Sequence, residues 1–278
     1  MIVFKHIAKL QAHLQQQGTN IGFVPTMGAL HAGHISLISR AKQDGGLVVC
    51  SIFVNPTQFN DPADFEKYPS SLPQDMEMLA EAGCDVLFAP SVAEMYPGGA
   101  AATISYDFGY VETLLEGAHR PGHFKGVGQV VARLLDIVKP HTMYLGQKDY
   151  QQCMVLTQLV TMPGVHPAKV AIVPTLREAD GLAMSSRNRR LTEPQRVIAA
   201  LIYQCLVSIQ AKKDSGNFTV VQKECNDILK AKGFEPDYIA IADAETLAPL
   251  ENYDATRPMV ALIAAKIGEI RLIDNMVL

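Results

Sequence analysis

Through its first 175 or so residues the chain alternates short apolar runs with segments of helical spacing, and this alternation restricts the fold more than any other feature. Ile21–Val24, Leu47–Val54, Asp85–Phe88, Thr142–Leu145 and Lys169–Val173 read as strands. Helical patterns start at Ile35–Lys42 and fill Gln74–Ala82, Val127–Val138 (stopped by Pro140) and Gln151–Met162. Strands that alternate with helices of about ten to fifteen residues form βαβ units and a parallel sheet. Ligands of such sheets bind at the carboxyl ends of the strands. The loops after Val24, Val54, Leu145 and Val173 are therefore the places to look for chemistry.

Beyond about residue 180 the pattern changes. Thr192-Glu193-Pro194-Gln195 has the form of a capping box, with proline inside the first turn. It predicts a long helix to about Lys213, a break at Asp214-Ser215-Gly216-Asn217, and a second helix to Lys232 that ends at Gly233. Tyr238–Ala242, Met259–Ala265 and Ile270–Ile273 then read as a small sheet with a tight turn near Gly268. The expected organisation is a parallel-sheet domain over 1–178 and a smaller α+β domain over 179–278.

Composition narrows the partners. At 278 residues, with 48% hydrophobic and 19% charged residues, the chain can bury a sizeable core. A net charge of −4 gives no electrostatic reason to expect nucleic acid or an anionic membrane. A polyanion would have to be held by local positive groups and N–H donors. Met1–His6 runs into a Gln-rich segment instead of a signal-like apolar region, and no apolar stretch is long enough to span a membrane. The five cysteines, at 50, 84, 153, 205 and 225, form no C-x-x-C pair and read as reduced core residues.

Three stretches carry the chemistry. The first, Pro25-Thr26-Met27-Gly28-Ala29-Leu30-His31-Ala32-Gly33-His34, leads from a strand into a helix. Its glycines permit close backbone approach, and a helix N-terminus offers N–H groups and partial positive charge to phosphate. Two imidazoles three residues apart can donate to the same phosphate oxygens. A metal site would need a third ligand, for which His119 and His123 are the candidates. The common phosphate-loop pattern is absent, and Gly126-Val127-Gly128 lacks the strand and third glycine of a dinucleotide fingerprint. The second stretch, Gly146-Gln147-Lys148-Asp149-Tyr150-Gln151-Gln152, places a lysine where a strand hands over to a helix. The third, Asp180–Asn188, contains Met184-Ser185-Ser186-Arg187, whose hydroxyls and guanidinium suit phosphate contact and closure over a nucleotide.

With these elements in order, the chain resembles the nucleotidyltransferase superfamily that includes class I aminoacyl-tRNA synthetases, through the H-x-G-H motif of His31–His34 and the mobile basic signature at Met184–Arg187. More closely it resembles the pantothenate synthetase (pantoate–β-alanine ligase) family. That match rests on Phe53-Val54-Asn55-Pro56-Thr57-Gln58-Phe59, on His119-Arg120-Pro121-Gly122-His123-Phe124, on Lys148–Gln152, and on Leu272-Ile273-Asp274-Asn275 near the end. Ala32 stands where the family commonly has Glu.

The resemblance implies a Rossmann-like sheet with helices on both faces and a C-terminal lid domain. It also implies a cytoplasmic homodimer that acts in pantothenate and coenzyme A biosynthesis through a pantoyl adenylate. Met27, Gly28, Ala29, Leu30, His31, Ala32, Gly33 and His34 would cradle ATP, with His34 and His31 donating to the phosphates. Lys148 and Arg187 would offset charge, Ser185, Ser186 and Met184 would add contacts, Gly146, Asp149 and Leu176 would line the adenosine, and Gln147 would also belong to the ATP site. Gln58 and Gln152 would bind pantoate, Gln58 also lying near β-alanine. Mg2+ is expected with ATP, and Asp75 reads either as its neighbour or as a solvated helix carboxylate. An adenylyltransferase acting on a phosphate-bearing acceptor, or a non-catalytic nucleotide sensor, are the rival readings. An amine requirement separates the first from the family's reaction, and the retained polar side chains speak against the second.

Overall fold

Phe23 and Val24, Val48 and Val49, Leu87 and Phe88, and Met143 and Tyr144 are neighbours in sequence, and all eight are buried. Successive strand residues point to opposite faces, so a sheet with both members of each pair buried must be covered on both sides. Phe23, Val49, Phe88 and Met143 enter one core, and Val24, Val48, Leu87 and Tyr144 enter the other. A computed structural model describes residues 1–18, 20–58, 71–99, 104–215 and 217–278; Phe59 and Gly216, named above, lie outside the described residues.

The elements of the sheet region are β1 (Ile2–Phe4), α1 (Ile7–Leu14), β2 (Ile21–Thr26), α2 (Ala32–Gln43), β3 (Leu47–Ile52), α3 (Leu72–Glu81), β4 (Val86–Phe88), α4 (Val92–Met95), α5 (Leu115–His119), α6 (His123–Val138), β5 (Thr142–Gly146), α7 (Tyr150–Leu159) and β6 (Lys169–Val173). The strands are parallel in the order β1-β4-β3-β2-β5-β6. From β2 the chain builds outward through β3 and β4, then crosses to β5 and β6 on the other side. The order reverses between β2 and β5, the topological switch point at which such sheets bind ligands. The strands and helices read from the sequence are all present. β1 and α1 were not expected: β1 is too short to show a period, and the Gln-rich segment that overlaps and follows α1 conceals a stripe of Ile7, Leu10 and Leu14.

The C-terminal elements are α8 (Glu193–Ala199), α9 (Leu201–Lys212), α10 (Phe218–Ala231) and the antiparallel strands β7 (Phe234–Asp243), β8 (Met259–Ile267) and β9 (Ile270–Val277). The capping box forms in both directions: Thr192 N donates to Gln195 Oε1 (3.0 Å) and Gln195 N to Thr192 Oγ1 (3.4 Å). The single helix expected to Lys213 is divided at Ala200. Gly268 turns β8 into β9 with φ of 56°. β9 runs past Ile273 because Asp274 and Asn275, polar in the sequence, are buried strand residues.

By internal contacts the chain divides into one unit of Met1–Gly146 with Gln152–Pro174 and another of Gln147–Gln151 with Thr175–Leu278. The second unit has its own core, with Leu206, Ile209, Phe218, Leu229 and Ile263 among its buried members. All five cysteines are free and buried. Burial pushes the Cys84 thiol up to about 11, so it stays protonated and unreactive at neutral pH.

Candidate active site

The turn after β2 bends through two consecutive left-handed residues, Gly28 (φ 83°) and Ala29 (φ 50°). A Cβ at Gly28 would lie 3.0 Å from Ile52 Cγ2 and 3.1 Å from Asp75 Oδ2, so glycine is needed for space as well as conformation. Ala29 N donates to Asp75 Oδ2 and Leu30 N to Asp75 Oδ1, both at 2.8 Å. Asp75, in the first turn of α3, is 1% exposed and also accepts from Ser71 Oγ (3.0 Å). This corrects one reading of Asp75, which is not a solvated helix carboxylate. The N–H groups of Ala29 and Leu30 thus face a protein carboxylate.

His31 is the N-cap of α2, with extended φ and ψ of −144° and 173°. Its Nδ1 accepts from Gly33 N (3.1 Å), and His34 Nδ1 accepts from His31 N (3.3 Å). The helix start therefore does not present these N–H groups to a ligand directly, as the sequence suggested; the imidazoles take them. The consequence is chemical. A nitrogen that accepts an N–H bond carries no proton, so each neutral ring carries its proton on Nε2. The two rings lie 4.1 Å apart between centroids, tilted by 45°. One turn of helix thus converts two main-chain donors into two side-chain Nε2–H donors, at the positive end of the helix dipole.

The loop after β3 is organised by Asn55, which is buried. Its Nδ2 donates to Thr57 Oγ1 (2.9 Å) and Gly126 O (3.2 Å), and its Oδ1 accepts from Tyr96 O–H (3.0 Å). Burial raises the Tyr96 phenol above its ordinary value, which keeps the hydroxyl a donor. Gly126 lies in α6, where an added Cβ would come within 2.4 Å of Thr57 O. That close approach explains the glycine the sequence left without a role. Gln58 Nε2 lies against Met27 Sδ, and the main-chain carbonyl oxygen of Gln58 is 2.9 Å from His123 Nδ1. His123 thereby anchors the loop through Nδ1, and His119 is exposed at the end of α5. Among the described residues no group of three or more His, Cys, Asp and Glu could hold a metal ion. Gln152 is half-buried in the first turns of α7. Asn55 had a place in a recognisable stretch, but Tyr96 carried no signal.

In the second unit, Gln147–Asp149 form a single 3-10 turn. Asn275 Nδ2 donates to the carbonyls of Gln147 (2.9 Å) and Lys148 (2.8 Å), which holds this turn to β9. The Lys148 side chain is 18% exposed, with Nζ 3.5 Å from Asp149 Oδ1. Next to Asn275, Asp274 receives both Arg177 nitrogens (2.6 and 3.1 Å). Burial pushes the Asp274 carboxyl up from its ordinary value, while Arg177 and, more weakly, Lys148 pull it down. Arg177 also stacks 4.4 Å over the Tyr203 ring and donates to Gly181 O. Arg177 and Ala183 bridge, and Met184 N donates to Leu176 O (3.0 Å), so residues 176–184 form a small hairpin. Leu176 is exposed. Ser185 then caps the 3-10 turn Ser186–Arg190 by accepting from Arg187 N (3.3 Å), and Ser186 is buried.

Comparison with known proteins agrees with the motifs. Residues 2–277 match the family model described as Pantoate-beta-alanine ligase. A pantothenate synthetase of Cytophaga hutchinsonii is 45% identical over 284 aligned residues, covering 100% of this chain and 99% of the other. A crystal structure of pantothenate synthetase from Thermus thermophilus superposes with a TM-score of 0.92 at 43% identity, covering 99% of each chain. A pantoate-beta-alanine ligase from Francisella tularensis, described as complexed with beta-gamma ATP and beta-alanine, gives 0.82 at 41% identity, covering 100% of this chain and 97% of that one. The chain belongs to the pantoate–β-alanine ligase family, whose members form a C–N bond.

Proposed function

We propose that this chain condenses pantoate with β-alanine at the expense of ATP, through an enzyme-held pantoyl adenylate. A pantoate carboxylate oxygen attacks the α-phosphorus, and the bond to the bridging oxygen of the β-phosphate breaks to release pyrophosphate. The β-alanine amine then attacks the acyl carbon, loses a proton and expels AMP, giving pantothenate. Both nucleophiles belong to substrates, so the protein's part is to position them and to stabilise charge. The observation that carries this reading is the pair of main-chain N–H bonds accepted by His31 Nδ1 and His34 Nδ1 at the start of α2: they leave Nε2–H as each neutral ring's donor, suited to the charge that develops on phosphate oxygens.

Met27–His34 form the phosphate end of the ATP site, where His34 and His31 act through their side chains and Ala29 and Leu30 by giving the turn its shape. Lys148, Arg187, Ser185 and Ser186 are assigned to the same phosphates, and Met184 beside them to the nucleotide, by their place in the family's motifs. Gly146, Asp149 and Leu176 are assigned to the adenosine, and Gln147 to the ATP site. Gln58 and Gln152 recognise pantoate as neutral amides, without trapping the acyl centre in a strong ion pair. Mg2+ would accompany the nucleotide. The enzyme acts as a cytoplasmic homodimer in this reading. The deciding experiment supplies ATP and pantoate without β-alanine. Pyrophosphate should be released in a single turnover, with AMP following when the amine is added. Splitting of ATP to ADP and phosphate instead would overturn the adenylate chemistry.

A further inference from the structure

Asp75 lies 41 residues beyond His34 in sequence and meets the motif at the main chain, where it accepts from Ala29 N and Leu30 N. We propose that Asp75 is a positioning residue for the reaction: its carboxylate sets the backbone of Gly28–Leu30 and thereby aims the imidazoles of His31 and His34. The proposal rests on the family's reaction for its kinetic half and on the structure alone for its conformational half.

Successive N–H groups that follow residues of left-handed or mixed backbone form a concavity that binds an anion, often a phosphate. Here the N–H groups of Ala29 and Leu30 form one, and the anion in it is the Asp75 carboxylate, one oxygen to each at 2.8 Å. Ala29 is the strained member. Residues other than glycine adopt positive φ only where the surroundings over-determine it, and the Asp75 oxygen on the Ala29 N–H does so. Both Ala29 and Leu30 are fully buried, so water is no substitute for the carboxylate. Ser71 Oγ, just before α3, fixes the rotamer by donating to the oxygen that also serves Leu30.

Leu30 N is one residue from His31, whose extended backbone opens α2 and whose Nδ1 receives Gly33 N. Any rotation of the 29–30 peptides turns the His31 main chain. It also turns the N–H that His31 gives to His34 Nδ1, on which the second tautomer depends. One buried charge therefore controls both donors without approaching the substrate.

The test compares Asp75→Asn and Ser71→Ala with the unaltered enzyme. Asparagine keeps the shape but places an NH2 group against one of the two main-chain N–H donors, whichever way the amide turns. Single-turnover release of pyrophosphate from ATP and pantoate should fall on the order of a hundredfold, as for loss of a preorganised donor. Affinities for ATP and pantoate, measured separately, should change less than about threefold. Ring 15N signals of His31 and His34, recorded without substrates, should show an unprotonated Nδ1 in the unaltered protein and mixed tautomers in Asp75→Asn. Ser71→Ala keeps both main-chain bonds and should shift each quantity in the same direction by less than tenfold. Unchanged ring signals, or a melting temperature lowered with normal turnover in the folded fraction, would overturn the proposal. If the unaltered enzyme released no pyrophosphate, the reaction assignment would fail, while the ring signals would still decide the role of Asp75. If Asp75→Asn does not fold, Ser71→Ala carries the same ring and turnover measurements, and no change in either would overturn the proposal.

Discussion

The turn at Met27–His34 and the turns at Gln147–Asp149 and Ser185–Arg190 carry the same kind of groups, donors and cations suited to phosphate, yet they are held in different ways. In the first, the bonds that orient His31 and His34 span two or three residues of chain, and the distant anchor is one carboxylate. In the second unit the Lys148 turn is held by Asn275, 127 residues away, and the adjacent Arg177 hairpin by Asp274, 97 residues away. Local capping fixes a donor to a fraction of an ångström at little entropic cost. A tether from a remote strand ties a side chain's position to the folding of a whole unit, which suits groups that must respond to a bound ligand.

The sharpest way to break this comparison is to remove the locally capped donor. His34→Ala should slow adenylate formation by a hundredfold or more, equivalent to about 2.7–4 kcal/mol. The cap bond to His31 N is lost from the fold, a loss of the size of one helix cap, so the melting temperature should move by no more than a few degrees. Normal turnover would mean that the capped imidazole is structural alone.

Removing the remote tether should do the reverse. Asn275→Ala strips the Gln147 and Lys148 carbonyls of a buried donor and should cost about 1–3 kcal/mol of stability by denaturant unfolding. ATP binding should weaken, while the ring signals of His31 and His34 stay as they are. Movement of those signals would show that the two turns are not independently held.

Between these lie the two glutamines. Gln58→Ala and Gln152→Ala should each weaken pantoate binding by about 1–3 kcal/mol and leave ATP affinity nearly unchanged. Because both would grip one small molecule, the double variant should be non-additive. Calorimetric titration of each ligand checks this, and equal losses for both ligands would assign the glutamines to the fold or the nucleotide.

The smallest effect should come from Arg196 and Asp180, an ion pair whose two side chains are 34% and 39% exposed. The Arg196 hydrogen bond lowers the Asp180 carboxyl below its usual value. A folded-state value below the unfolded one stabilises above the unfolded value, about 3.9, and that stabilisation is lost as pH falls through the folded value. At this exposure it should amount to less than about 1 kcal/mol and weaken in salt. Arg196→Ala should therefore lower the melting temperature slightly at pH 7, and by progressively less as the pH is taken below the usual carboxylate range. A large drop would put the tether of the Asp180 turn on a par with Asn275.

What the sequence determined by itself is what short-range physics decides. Strand and helix periods, the reversal from βαβ units to a C-terminal α+β region, the Thr192 capping box, and the helix start that brings two histidines three residues apart all depend on neighbours within a turn or two. The motifs also carried the family, because those residue types recur at fixed spacings. Tertiary structure alone decided which groups complete them. Nothing in the spacing of Asp75, Tyr96, Gly126 or Asn275 distinguishes a surface carboxylate, a core phenol, a helix glycine or a strand amide from the anchors they are. Each acts on main chain many tens of residues distant, or through a partner that does. Such a contact exists only once folding has brought the two segments into hydrogen-bonding or van der Waals range, and the pattern of a single strand or helix contains no record of it.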